Sequence, residues 1–352
     1  MSYLHAFQEI TRINKKEVGY TLLAVVLGFV AGAVVIWVAG YSVTDVYTYL
    51  YKGVFGSEFA IGTWLAHSTP IIFTALSFIV AFRCGLFNIG AEGQLYVGAF
   101  AAAWVGFTLV WLPPVVHVIV AIAIGAGAGA LWGFIPGWLR AKRGCNEFVS
   151  SMMLSYVAIY ITGWFVCPTG PFRNPRGWAN MSPSIAATAT LPRILPPSQL
   201  SVTFIIAVVA AIVIYYILWN TPFGYEVRAV GVNPEAARYG GIKVKKIMIL
   251  AFVMSGILAG IGGAGEILGT HRVFIDGFSP GYGWDGIAVA LIAHGHPIFA
   301  IFAGLLVGGL RAGALLVEQH GAAPADIGTL IEGFVILFVI APILIKSVLG
   351  RK

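Results

Sequence analysis

Ten apolar stretches, at 18–41, 60–82, 89–111, 114–139, 146–166, 201–219, 247–269, 284–294, 297–317 and 326–346, take up most of this 352-residue chain. A helix needs about 20 apolar residues to cross a bilayer, and most of these runs reach that length. A soluble domain carries roughly 25% charged residues. This chain carries 10% and is 59% hydrophobic, too little charge to cover a water-soluble core. The fold class that follows is an all-α polytopic membrane protein of about ten transmembrane helices, one of them short. We divide it into an N-terminal segment 1–17, a single transmembrane domain 18–346 and a tail 347–352.

The run at 18–41 follows Arg12, Lys15 and Lys16, as a signal peptide would. It is longer than the 7–15 residues of a signal core, so it reads as a retained span. Leu4, Phe7 and Ile10 suggest a short helix over 4–13 lying on the membrane surface. With the N-terminus in the cytoplasm, 15 of the 21 basic residues fall on the inside and five on the outside. Only Arg311 then falls within a helix. That excess places both termini in the cytoplasm of a bacterial inner or cell membrane.

Some chemistry is disfavoured at once. No GxxxxGK[ST] phosphate loop occurs, so the chain is not expected to hydrolyse ATP itself. Cys84, Cys145 and Cys167 have no paired spacing, and His294 and His296 stand two apart. Neither pattern suits a metal, and neither a cofactor nor a nucleic-acid partner is expected.

Two glycine-framed polar stretches interrupt the apolar runs. Gly90-Ala91-Glu92-Gly93 aligns with Gly283-Trp284-Asp285-Gly286, each with one carboxylate between glycines and each opening an apolar segment. The charge map places the first on the cytoplasmic side and the second outside. Residues 60–111 and 247–294 would then be inverted-topology units, whose paired breaks point to a translocation site. Asn88, Glu92, Gln94, Trp284 and Asp285 are the candidate pathway residues. The competing reading makes the acids helix-start devices that touch no substrate. Arg311, roughly 20 Å along its helix, either snorkels to the outer interface or faces the pathway; its position favours snorkelling. Asn146 and Glu147 read as a cap and a first-turn acid.

The external connection 167–200 is rich in proline and glycine, which argues against long helices. It fits a docking surface or an extended connector equally well. In the cytoplasmic connection 220–246, Asn233 caps, Pro234 opens and Gly240-Gly241 closes a short helix over 234–239. That helix is either a capped connector or a coupling element presenting Glu235, Arg238 and Tyr239 to a partner.

"EAARYGG", with Glu235, Ala236, Ala237 and Gly241, resembles the EAA-x-x-x-G signature of ABC importer permeases. Together with "RCGLFNIGAEGQ" and "GYGWDGIAVALIAHGHP", in the same order over roughly 60–340, it resembles the ribose/nucleoside/branched-chain amino-acid permease family. The nearest likeness is to nucleoside-type permeases that work with a basic-membrane-protein-like lipoprotein. The resemblance implies two cytoplasmic ATP-binding subunits docked at Asn233 to Tyr239 and Gly241. It also implies a second, often non-identical permease and an external substrate-binding lipoprotein. A simple sugar or a branched-chain amino acid is the alternative cargo within the family. A secondary transporter with midplane carboxylates is the rival from another class. The docking helix separates the two, since a secondary carrier has no use for one.

Overall fold

The computed structural model of the protein describes residues 15–324 and 326–349. Among them are thirteen α-helices and no strand, only two isolated β-bridges. We number the helices α1 (Lys15–Val38), α2 (Val43–Phe55), α3 (Glu58–Arg83), α4 (Ala91–Thr108), α5 (Pro114–Trp138), α6 (Glu147–Val166), α7 (Thr203–Asn220), α8 (Pro222–Val232), α9 (Pro234–Tyr239), α10 (Val244–Gly265), α11 (Tyr282–Ile292), α12 (Pro297–Gln319) and α13 (Asp326–Leu349). π-Helical turns extend α5 through Leu139–Arg143 and α10 through Glu266–His271. All ten apolar runs are helices, and among the described residues six helices are long and apolar enough to cross a membrane. At 11 residues α11 spans about 16 Å, half a bilayer core.

Two helices were not foreseen. Helix α2 is amphipathic, started by Ser42 accepting from the Asp45 amide at 3.3 Å, and buries Val46 and Leu50 against α12. Helix α8 starts at Thr221, whose hydroxyl accepts from the Gly224 amide at 3.2 Å. Both are too short or too polar to stand out as apolar runs. The expected surface helix at 4–13 lies outside the described residues.

Helices α4, α5 and α10 form the tightest part of the bundle. In lipid no hydrophobic force draws helices together, so small residues that let backbones touch take over. A Cβ at Gly129 would lie 2.3 Å from the Gly256 carbonyl oxygen, and one at Gly256 would lie 2.2 Å from that of Gly129. Helices α3 and α4 pack against α11 and α10 respectively, so the two proposed units interlock crosswise.

The connection 167–200 forms no long helix, only a 3-10 turn at Ala187–Ala189, as its prolines suggested. It is folded down onto the bundle. The Ala186 amide donates to the Gly106 carbonyl at 2.8 Å and the Leu191 amide to that of Leu268 at 2.8 Å.

Candidate translocation site and coupling helix

The first break, at 84–90, turns through Gly85 at φ +74° and is held by buried amides. Asn88 Nδ2 donates to Gln94 Oε1 at 3.0 Å and to Ser255 Oγ of α10 at 2.6 Å, while its Oδ1 accepts from the Gly90 amide at 2.9 Å. Ser255 Oγ donates onward to the Ser77 carbonyl at 2.7 Å. Asn88 and Gln94 are fully buried, and their polar groups hold the turn to α3 and α10. Gly93 packs on α6, where a Cβ would meet Ser155 Cα at 2.6 Å.

The second break re-enters the bundle. Segment 272–281 seats Phe274 and Phe278 against Tyr96 of α4, with ring centroids 6.4 and 4.7 Å from that ring. Ser279 Oγ then accepts from the amides of Gly281 at 3.2 Å and Tyr282 at 3.1 Å, starting α11. The polar stretch around Ser279 carried this signal in the sequence.

The charge map assigns the two breaks to opposite sides, yet in the fold they meet. Glu92 Oε2 accepts from the Gly283 amide, and a Cβ at Gly283 would lie 2.4 Å from the Glu92 nitrogen. Both first turns therefore meet inside the bundle, because segment 272–281 packs inward on Tyr96 before α11 begins. Burying a carboxylate beside free helix-start amides is how it is tolerated away from water.

Arg311 is turned inward, correcting the expectation that it snorkels. Its Nη2 donates to Asp285 Oδ1 at 2.7 Å and its Nε to Oδ2, a two-pronged pair that leaves Arg311 19% exposed. A buried carboxylate one helix away holds the guanidinium more firmly than a distant interface does. Glu332 of α13, also buried, interacts electrostatically with this pair. Nearby, His67 Nδ1 lies 3.1 Å from the Tyr282 hydroxyl, and Glu266 lies 3.6 Å from His271. His67, Glu266, Tyr282 and Glu332 were missed, for nothing near each in the sequence marks what it faces across the bundle. Trp284 is half-buried, its ring centroid 6.5 Å from that of Tyr156 on α6. Glu92, Trp284 and Asp285 thus gather with these groups, while Asn88 and Gln94 form a separate network. Such a cluster can accept hydrogen bonds from hydroxyl and amino groups and offers an aromatic face to a flat ring.

The short helix α9 stands where the sequence placed it. Asn233 Oδ1 accepts from the amides of Glu235 at 3.0 Å and Ala236 at 3.1 Å, Pro234 is its first residue, and Gly241 follows at φ +85°. Ala237 is buried beneath it, Arg238 lies 3.7 Å from Glu235, and Tyr239 is 91% exposed. Asn146 likewise caps α6, accepting from the Phe148 amide at 2.9 Å, and Glu147 pairs with Arg140 at 3.2 Å.

The family model described as branched-chain amino acid transport system / permease component matches residues 60–340. The chain belongs to this family. It is a membrane permease component. Among its relatives, the guanosine ABC transporter permease protein NupP of Bacillus subtilis is 37% identical over 94% of this chain and 95% of its own. The nucleoside ABC transporter permease protein NupB of Lactococcus lactis is 33% identical over 96% and 94%. The glucose ABC transporter permease protein TsgB13 of Haloferax volcanii is 33% identical over 92% and 87%. No solved structure matches significantly.

Proposed function

We propose that the protein is the permease subunit of an ATP-driven importer whose cargo is a nucleoside. The observation that carries the transport mechanism is α9. It is a capped helix anchored by one buried alanine, with Glu235, Arg238 and Tyr239 held out to solvent. A secondary carrier has no need of such a projection. The nucleoside assignment is supported by NupP and NupB, of which NupP is more identical to this chain than TsgB13 is.

In this reading Glu92, Trp284 and Asp285 wall the pathway, with Asn88 and Gln94 holding the break that positions them. The carboxylates suit ribose hydroxyls and the Trp284–Tyr156 pair suits a base. Two ATP-binding subunits dock on the coupling residues Asn233 to Tyr239 and Gly241, and a lipoprotein delivers substrate from outside. The second permease is a different chain. In Bacillus subtilis a more distant relative, NupQ, 29% identical over 69% of this chain, shares the guanosine of NupP's name. Both termini face the cytoplasm.

The test is uptake of labelled guanosine by cells carrying or lacking this chain, with unlabelled nucleosides, glucose and leucine as competitors. Competition by nucleosides alone is expected. Competition by glucose or leucine alone overturns the cargo, and uptake that persists when cellular ATP is depleted overturns the mechanism.

A further inference from the structure

Beside α9 lies a cleft of about 440 Å³, of whose lining the transport reading uses only Arg238. Its lining brings together Lys142 of the π-turn after α5, Arg238 of α9, and Lys243, Lys245 and Lys246 at the start of α10. Its floor is Ile242, Val244, Ile249 and Leu250. The lysines are exposed. Among the described residues Arg238 has Glu235 at 3.7 Å, while the four lysines make no ion pair. Five cations thus face one space with a single carboxylate at its edge.

We propose that this cleft binds the headgroup of an anionic glycerophospholipid. Charge that serves only to orient a chain in the membrane needs no common focus, whereas these side chains converge from three elements. The phosphate chemistry is set by the lysines and the Arg238 fork. The lipid source is set by the floor. Ile249 and Leu250 lie one turn, about 6 Å, beyond Lys245 and Lys246 on the spanning helix α10. They continue the cleft from the charged rim into the apolar zone where acyl chains begin. Basic clefts between helices at a membrane interface recognise lipid headgroups in this way. Of the docking face only Arg238 is part of the lining, so a headgroup in the cleft leaves Glu235 and the exposed tip Tyr239 open. A bound headgroup would tie α9 to α5 and α10 and fix the height at which the coupling helix stands.

The experiment uses the purified full chain and reads lipid retention, not transport, so it is independent of the cargo assignment. Native mass spectrometry after exchange into mixed phosphatidylglycerol and phosphatidylcholine micelles reads which lipid is retained. Wild type is expected to retain phosphatidylglycerol at least about tenfold over phosphatidylcholine, each cation near an anionic headgroup contributing about fivefold. The variant carrying Lys142→Gln, Lys243→Gln and Lys246→Gln should lose the preference. The matching Lys→Arg triple should keep it, as should Lys52→Gln with Arg173→Gln at other surfaces. Equal retention by wild type overturns the proposal. So does displacement by tail-less glycerophosphoglycerol as effective as by whole lipid, which marks a free-phosphate site. Loss of the preference once ATPase subunits are bound also overturns it and assigns the cleft to their interface.

Discussion

Arg311 and Asp285 show what a membrane interior does to a lone charge. Each is costly there, and two hydrogen bonds between them offset much of that cost. Removing one partner is worse than removing both. Asp285→Ala should destabilise the protein by about 3–5 kcal/mol by leaving Arg311 buried and uncompensated. Asp285→Ala with Arg311→Met should recover most of that loss. Thermal unfolding in detergent reads the stability, and guanosine uptake should stay lost in both variants if Asp285 walls the pathway. Uptake restored in the double variant makes the pair structural only. The Asn88 network differs, because its members are neutral and fully paired. Gln94→Leu strands Asn88 Nδ2 and Oδ1 without one partner and should cost about 1–3 kcal/mol.

At the scale of elements, most of the helices were legible and their meeting point was not. Length and apolarity mark a spanning helix from sequence alone, and Asn233, Pro234 and Gly241 mark α9 by caps whose chemistry is local. Helix α2 escaped because its buried side, Val46 and Leu50, is one stripe on a polar-looking segment. The contact between Glu92 and Gly283 escaped for another reason. It depends on segment 272–281 dipping inward, driven by Phe274 and Phe278 packing on Tyr96, residues with no local sign of a partner. Tyr282, His67 and Glu332 were likewise invisible, since nothing near each in sequence names what faces it across the bundle. Two element-level outcomes follow from the close approaches. Gly256→Leu drives a side chain into the Gly129 carbonyl, so α5 and α10 must separate and the yield of monodisperse protein should fall sharply. Gly241→Pro demands φ near −65° where the backbone holds +85°. It should unseat α9 and abolish uptake and ATPase co-purification while membrane insertion stays normal.

The whole molecule poses one question that no single contact answers: which end faces the cytoplasm. The charge map of the sequence assigns three times more basic residues to one side, and it assigns α9 to that side with Lys142 and Lys243 to Lys246. Trp178, in the connection 167–200, is 84% exposed, and Tyr239 is 91% exposed. They belong to opposite faces of the bundle in our reading, which makes them reporters of orientation. Cys84 is buried, but Cys145 is exposed and Cys167 partly so, and both would react with a thiol reagent. The experiment therefore starts from Cys145→Ser with Cys167→Ser, adding Tyr239→Cys or Trp178→Cys. A membrane-impermeant maleimide applied to intact cells should label Trp178→Cys and leave Tyr239→Cys untouched until the membrane is opened. The reverse pattern would place α9 outside, where no ATP-binding subunit could reach it. The coupling assignment would then fail together with the orientation, while the Arg311–Asp285 site and its stability predictions would stand unchanged.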